Sequence, residues 1–158
     1  MEPKIIELAE QKTVGMGAAF QPKSIVPINK LWNKFMQRAS EIGHSKSGIA
    51  FGICCKKHPT LQAPDDGSII YIAALPVEKV ESLPPGMVET TLSAGKYAVF
   101  THKGPLRDLP QTCDYIWGEW ASAGKLKLRD APDFELYDHR FDPEMLDGEI
   151  DICIPIEG

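Results

Sequence analysis

The chain has 158 residues, enough for one domain with a real core, and is 43% hydrophobic and 25% charged. A net charge of −5 and a pI near 5.4 argue against a free-standing nucleic-acid binder, which normally presents a basic face. No apolar run approaches the roughly 20 residues that span a bilayer, and the charged start MEPKIIELAEQ lacks the apolar segment of a signal peptide, so a cytoplasmic protein is expected.

In chain order, KIIELAE (4–10) reads as an edge strand and KTVGMGAAF (12–20) as a second strand. Residues 27–43 place Ile28, Leu31, Trp32, Phe35, Met36, Ala39 and Ile42 at helical three-and-four spacing. Pro27 suits the first turn of that helix and Gly43 its stop. Two strands follow, GIAFGICCK (48–56) and SIIYIAALPV (68–77), and the Pro-rich ESLPPGM (81–87) joins the halves. The second half opens with MVETTLSAG (87–95) and KYAVFTHKG (96–104). Its helix, 108–124, carries a stripe of Leu109, Cys113, Ile116, Trp117 and Trp120. Asp108 and Gln111 have capping-box spacing, Pro110 lies in the first turn, and Gly124 closes the end. The strands DFELYDHRF (133–141) and GEIDICIPI (148–156) complete the chain.

The same β-α-β-β order therefore occurs twice. Trp32 and Trp117 lie 85 positions apart, Asp66 and Asp147 lie 81 apart, and Pro76 and Pro155 lie 79 apart. The Asp-Gly pairs at 66–67 and 147–148 favour tight turns before the last strand of each unit. Duplicated units with short turns predict an α+β fold, with one antiparallel sheet, two main helices and a ligand groove where the halves meet. The expectation is a single domain over 1–158, with halves at about 1–80 and 87–158. KIIELAE is expected on the edge of the first unit and MVETTLSAG on that of the second.

The chemistry-bearing residues are few. Cys54, Cys55, Cys113 and Cys153 form no C-x-x-C pair, and no Cys/His spacing suggests a metal. No cofactor motif, nucleophile elbow or phosphate loop is present, so no catalytic residue is assigned. On DFELYDHRF, alternation puts Glu135, Tyr137 and His139 on one face, and Phe134 and Leu136 on the other as the expected helix-facing core. Glu135 is then either a solvated carboxylate or a desolvated charge lining the groove, which a cationic aromatic ligand would compensate. Tyr71 and Tyr137 are the candidate walls. Trp117 and Trp120 are either core or turn an edge into the groove. Phe51 occupies the place of Phe134 in the first unit, so Gly52 corresponds to Glu135 and the pocket is acidic from one side only.

The blocks GKYAVFTHKGPLRDLPQTCDYIWGEW (95–120), PDFELYDHRFDPE (132–144) and EIDICIPI (149–156) resemble the GyrI-like, AraC-type effector-binding domains. The first half resembles them more loosely, through EPKIIELAEQKTVGMG, INKLWNKFM and IIYIAALPV. Integron-associated effector-binding proteins are stand-alone members of similar size. The resemblance implies a fold of two β-α-β-β repeats and a pocket role for the acid of the F-E-L-Y strand, Glu135. Tyr71 and Trp117 carry over from the Y-I-A strand and the W-G-E-W helix.

Many members attach the domain to a helix-turn-helix DNA reader, and no such helix pair remains in this sequence. The expected function is a stand-alone small-molecule binder for amphipathic cationic aromatic compounds, linked to transcription regulation or multidrug response. Its ligand set would be Glu135, Tyr71, Tyr137, Trp117 and Trp120. It would bind neither nucleic acid nor membrane directly, and would act alone or through a DNA-binding regulator. Two alternatives stand beside this. One is an interaction protein that inhibits DNA gyrase; the other is a hydrolase of small toxic compounds that uses Glu135 and Tyr71. An exposed sheet edge leaves room for a homodimer.

Overall fold

The computed structural model describes residues 1–21, 25–46, 48–64 and 66–158. In the first half, strands β1 (Lys4–Leu8) and β2 (Gln11–Phe20) precede helix α1 (Ile25–Arg38), followed by β3 (Ala50–Cys55) and β4 (Ile69–Val77). In the second half, β5 (Val88–Leu92) and β6 (Gly95–Pro105) precede helix α2 (Leu109–Tyr115). Strands β7 (Asp133–Tyr137), β8 (Phe141–Asp142) and β9 (Asp147–Pro155) close the chain. The strands form one curled antiparallel sheet in the order β1-β6-β9-β7-β3-β4-β2-β5, with β8 beside β9. The fold is the expected α+β duplication. Among the described residues, no helix is long and apolar enough to cross a membrane.

The two units meet at the pairing of β3 with β7, where Gly52 stands directly opposite Glu135. On either side the order runs outward symmetrically, β3-β4-β2 in one half and β7-β9-β6 in the other. A pseudo-twofold axis therefore passes between Gly52 and Glu135, the two positions that sequence spacing equates.

The edge strands are exchanged relative to expectation. β1 pairs with β6 of the second unit, and β5 pairs with β2 of the first. The connections Ala9-Glu10 and Ser93-Ala94 hold no Gly or Asn to take the positive φ angles of a two-residue hairpin turn. The chain crosses to the other unit instead of folding back.

Both faces of the sheet are buried, which explains near-continuous apolar runs such as IIYIAALPV. On one face, Phe35, Leu31 and Trp32 of α1 pack over Val14, Met16 and Ala73. On the same face, Leu109, Ile116 and Trp120 cover Ala98, Phe100, Ile150 and Ile152. The opposite, concave face has its own cluster, with Phe51, Ile53, Ile72, Val99 and Phe134 and, among the described residues, no helix residue. Phe134 and Leu136 thus face away from the helices, contrary to expectation. Period-two alternation says which residues share a face, but not which face the helices cover.

Local signals departed in four places. DFELYDHRF is not one strand: it breaks after Tyr137, and Asp138 caps the turn through the Arg140 N–H. Asp108 makes no side-chain cap, because it already sits in a helical turn (φ −91°). The left-handed residue after α1 is His44 (φ 59°), not Gly43. Asp147 and Gly148 belong to β9 itself; the turn before it is built by the Asp142 carboxylate, which accepts from the Glu144 and Met145 N–H groups.

The crossed edges lead to a testable consequence. Deleting residues 1–8 should speed hydrogen exchange at the β6 amides that face β1 and leave the β2 amides protected. Loss of protection in β2 instead would contradict the exchanged pairing.

Candidate functional site

Strand β7 is short and turns Asp133, Glu135 and Tyr137 toward the helices. Strand β4, two strands away across β3, brings Tyr71 to the same face. The intervening position on β3 is Gly52. A Cβ there would collide with the Tyr71 hydroxyl and lie 2.5 Å from Glu135 Oε1. The glycine leaves the space in which tyrosine and glutamate meet.

Tyr71 donates its hydroxyl to Glu135 Oε1 at 2.8 Å, and Tyr137 donates to the same oxygen at 2.9 Å. Trp32 Nε1 donates to the Tyr71 hydroxyl at 2.9 Å, forming a relay from α1 to the carboxylate. The Trp32 ring stands edge-on to Tyr137, with centroids 5.5 Å apart. Oε2 accepts no side-chain hydrogen bond among the described residues. No side-chain polar atom among them is both sealed from solvent and unbonded, so Oε2 is not completely sealed.

Burial raises the Glu135 pKa, and the two tyrosine hydroxyls pull back against it. Asp133, which the sequence reading did not single out, is pushed up to about 7 by burial, with the Glu135 charge adding to the effect. Burial lifts the Tyr71 and Tyr137 hydroxyls well above the ordinary tyrosine range, reinforced by Glu135. Burial and the same carboxylates raise the Cys54 thiol and push Cys113 up to about 12. These thiols are poor nucleophiles at neutral pH. All four cysteines are free, and among the described residues no cluster of His, Cys, Asp and Glu is arranged to hold a metal.

Of the five residues expected in the site, the fold brings Glu135, Tyr71 and Tyr137 into direct contact. Trp120 is buried edge-on against Phe100, centroids 4.9 Å apart, in the α2-side cluster that also packs on Tyr137 and Cys113. Trp117 is 43% exposed. After α2 the chain widens into a π-helical turn, Ile116–Trp120, marked by Ala121 N–H bonding to Ile116 O at 2.8 Å. Trp32 therefore reaches the carboxylate relay while Trp117, its sequence counterpart, turns outward. His139 is exposed in the turn beyond β7. Trp32 was read only as helix core, although its match to Trp117 pointed to it. Alternation on DFELY already places Asp133 beside Glu135.

A duplicated, curled sheet that holds two partly buried acids, Glu135 and Asp133, beside aromatic rings is what a small-molecule binding domain would present. The model of GyrI-like small molecule binding domains matches residues 1–157, and the chain belongs to that family. It is 32% identical to the transcriptional regulator BrlR of Pseudomonas aeruginosa over 99% of its own length, but spans only 56% of that relative. Its fold is similar to the structure of SAV2435 bound to tetraphenylphosphonium, with a TM-score of 0.76, 21% identity and coverage of 100% and 95% of the two chains. It is similar too to an integron cassette protein from the mobile metagenome of Vibrio cholerae, with a TM-score of 0.67, 21% identity and coverage of 99% and 97%.

Two measurements probe the electrostatics and the packing. A carboxyl whose folded pKa lies near 7, against about 4 when unfolded, binds more protons in the folded state across that window. Its contribution is present at low pH and is lost as pH rises from about 4 through 7, by at most ~1.4 kcal/mol per pH unit. Asp133→Asn should therefore gain thermal stability relative to the parent between pH 5 and pH 8. Gly52→Ala should lower stability by about 1–3 kcal/mol, as overpacking does, by forcing Tyr71 off Glu135. A variant as stable as the parent would show that the site tolerates the extra methyl.

Proposed function

We propose that the domain binds lipophilic aromatic cations, with Glu135 as the counter-charge. One observation carries this reading: a desolvated carboxylate on the helix-facing side of the sheet, held on one oxygen by two tyrosines and flanked by an indole. Burial makes the uncompensated charge costly, and a cation offsets that cost in a way a neutral guest cannot. Tyr71, Tyr137 and Trp32 supply ring faces for cation–π contact, worth roughly 0.5–2 kcal/mol each. Trp120 extends the wall behind Tyr137, and Trp117 supplies apolar area at the outer turn of the second helix.

The fold's likeness to a protein bound to tetraphenylphosphonium supports this ligand class. Asp133 adds a second, weaker negative charge that is half-protonated near pH 7. Cation affinity should accordingly increase as pH rises through 7. A net charge of −5 disfavours direct contact between this domain and DNA.

Titration of tryptophan fluorescence tests the proposal. Tetraphenylphosphonium should bind saturably, and Glu135→Gln should weaken it at least tenfold. The uncharged triphenylphosphine oxide should change less than twofold between the same two proteins. Equal losses for both compounds would remove the charge role, and product formation during the titration would favour hydrolysis instead.

A further inference from the structure

The concave face of the sheet holds a hollow of about 260 Å³, on the side opposite Glu135. Its floor is aromatic and aliphatic: Phe51, Phe134, Leu136 and Val99. Phe134 stands edge-on to both Phe51 and Tyr97, with centroids 5.4 Å away in each case. Its walls come from the crossing of the two halves, where Ala9 and Gln11 meet Leu92 and Ser93. The exchange of edge strands thus builds the walls. The hollow is not a bare sheet face.

The polar groups around it are already engaged. Both oxygens of Asp151 are held, one by Thr101 at 2.7 Å and the other by Arg140 at 2.7 Å. The Ser93 hydroxyl accepts from Arg129, and its carbonyl accepts from Tyr97. Gln11 donates to Val77 O and accepts from Lys46. Among the described residues lining it, no carboxylate is left open for a cation. The volume also sets a size. A sealed cavity of about 150 Å³ takes benzene, so this open-sided hollow has room for about two rings.

We propose that this hollow is a second ligand site, for an uncharged aromatic molecule of about two rings, separated from Glu135 by the thickness of the β3–β7 pair. The two sites share one strand, because Phe134 and Leu136 line one while Glu135 and Tyr137 belong to the other. They differ in charge, so they sort guests by charge rather than by size.

The test uses the intact chain and Prodan, an uncharged naphthalene dye whose fluorescence rises in apolar surroundings. Ile6→Glu places a charge at the hollow's rim, at a position 37% exposed. Val99→Phe fills the floor. Each should weaken Prodan at least tenfold and leave tetraphenylphosphonium within twofold, while Glu135→Gln leaves Prodan within twofold. Saturable binding of both compounds at once is expected. Competition between them, loss of Prodan in Glu135→Gln alone, or no saturable Prodan binding would overturn the proposal. So would a dimer, seen by sedimentation, that the dye dissociates, because a second copy would then own this face.

Discussion

The pairing of Glu135 with two tyrosine hydroxyls is the interaction on which the helix-facing side is organised. A carboxylate under a helix layer needs hydrogen-bond donors, and charge-assisted bonds are the strong ones. Tyr71 comes from β4 and Tyr137 from β7, so one acid ties the two halves together across β3. Trp32 extends the tie to α1. The arrangement satisfies Oε1 twice over and leaves Oε2 without a side-chain donor among the described residues. Thus the hydrogen bonding of the carboxylate is incomplete on one oxygen.

That incompleteness comes from broken symmetry. The pseudo-twofold axis passes between residues 52 and 135, so a faithful duplication would set two acids or two glycines face to face. Two acids would repel each other and one would stay protonated. Two glycines would leave no charge at all. One of each gives a single acid and, across from it, the empty volume that the Tyr71 hydroxyl enters. Asp133, two residues earlier on the same face, adds a second acid with, among the described residues, no side-chain hydrogen bond to offset its burial.

Local and repeated features were legible in the sequence. The two β-α-β-β units, their helices and the alternation on DFELY all follow from periodicity, and Gly52 was correctly matched to Glu135. Long-range choices were not legible. Both edge strands sit on the unit other than their own, and only the missing turn residues at Ala9-Glu10 and Ser93-Ala94 hint at it. The facing of Phe134 was hidden because the curled sheet is buried on both sides, so its apolar residues mark either layer equally. Trp32 and Trp117 look alike in spacing; a π-helical turn, which no simple periodicity encodes, separates their fates.

If Glu135 is the counter-charge for a bound cation, the tyrosines do more than hold it. A guest that presses past Oε2 to reach Oε1 must share or displace hydroxyl bonds, each worth about 1.5–3 kcal/mol to a charged group. A cation offsets that loss with its own attraction to the acid. A neutral aromatic guest offsets none of it, although it makes the same apolar contacts. Selectivity then arises mainly from the attraction that only a cation supplies, and the hydroxyls that hold the carboxylate also favour the charged form that such a guest needs.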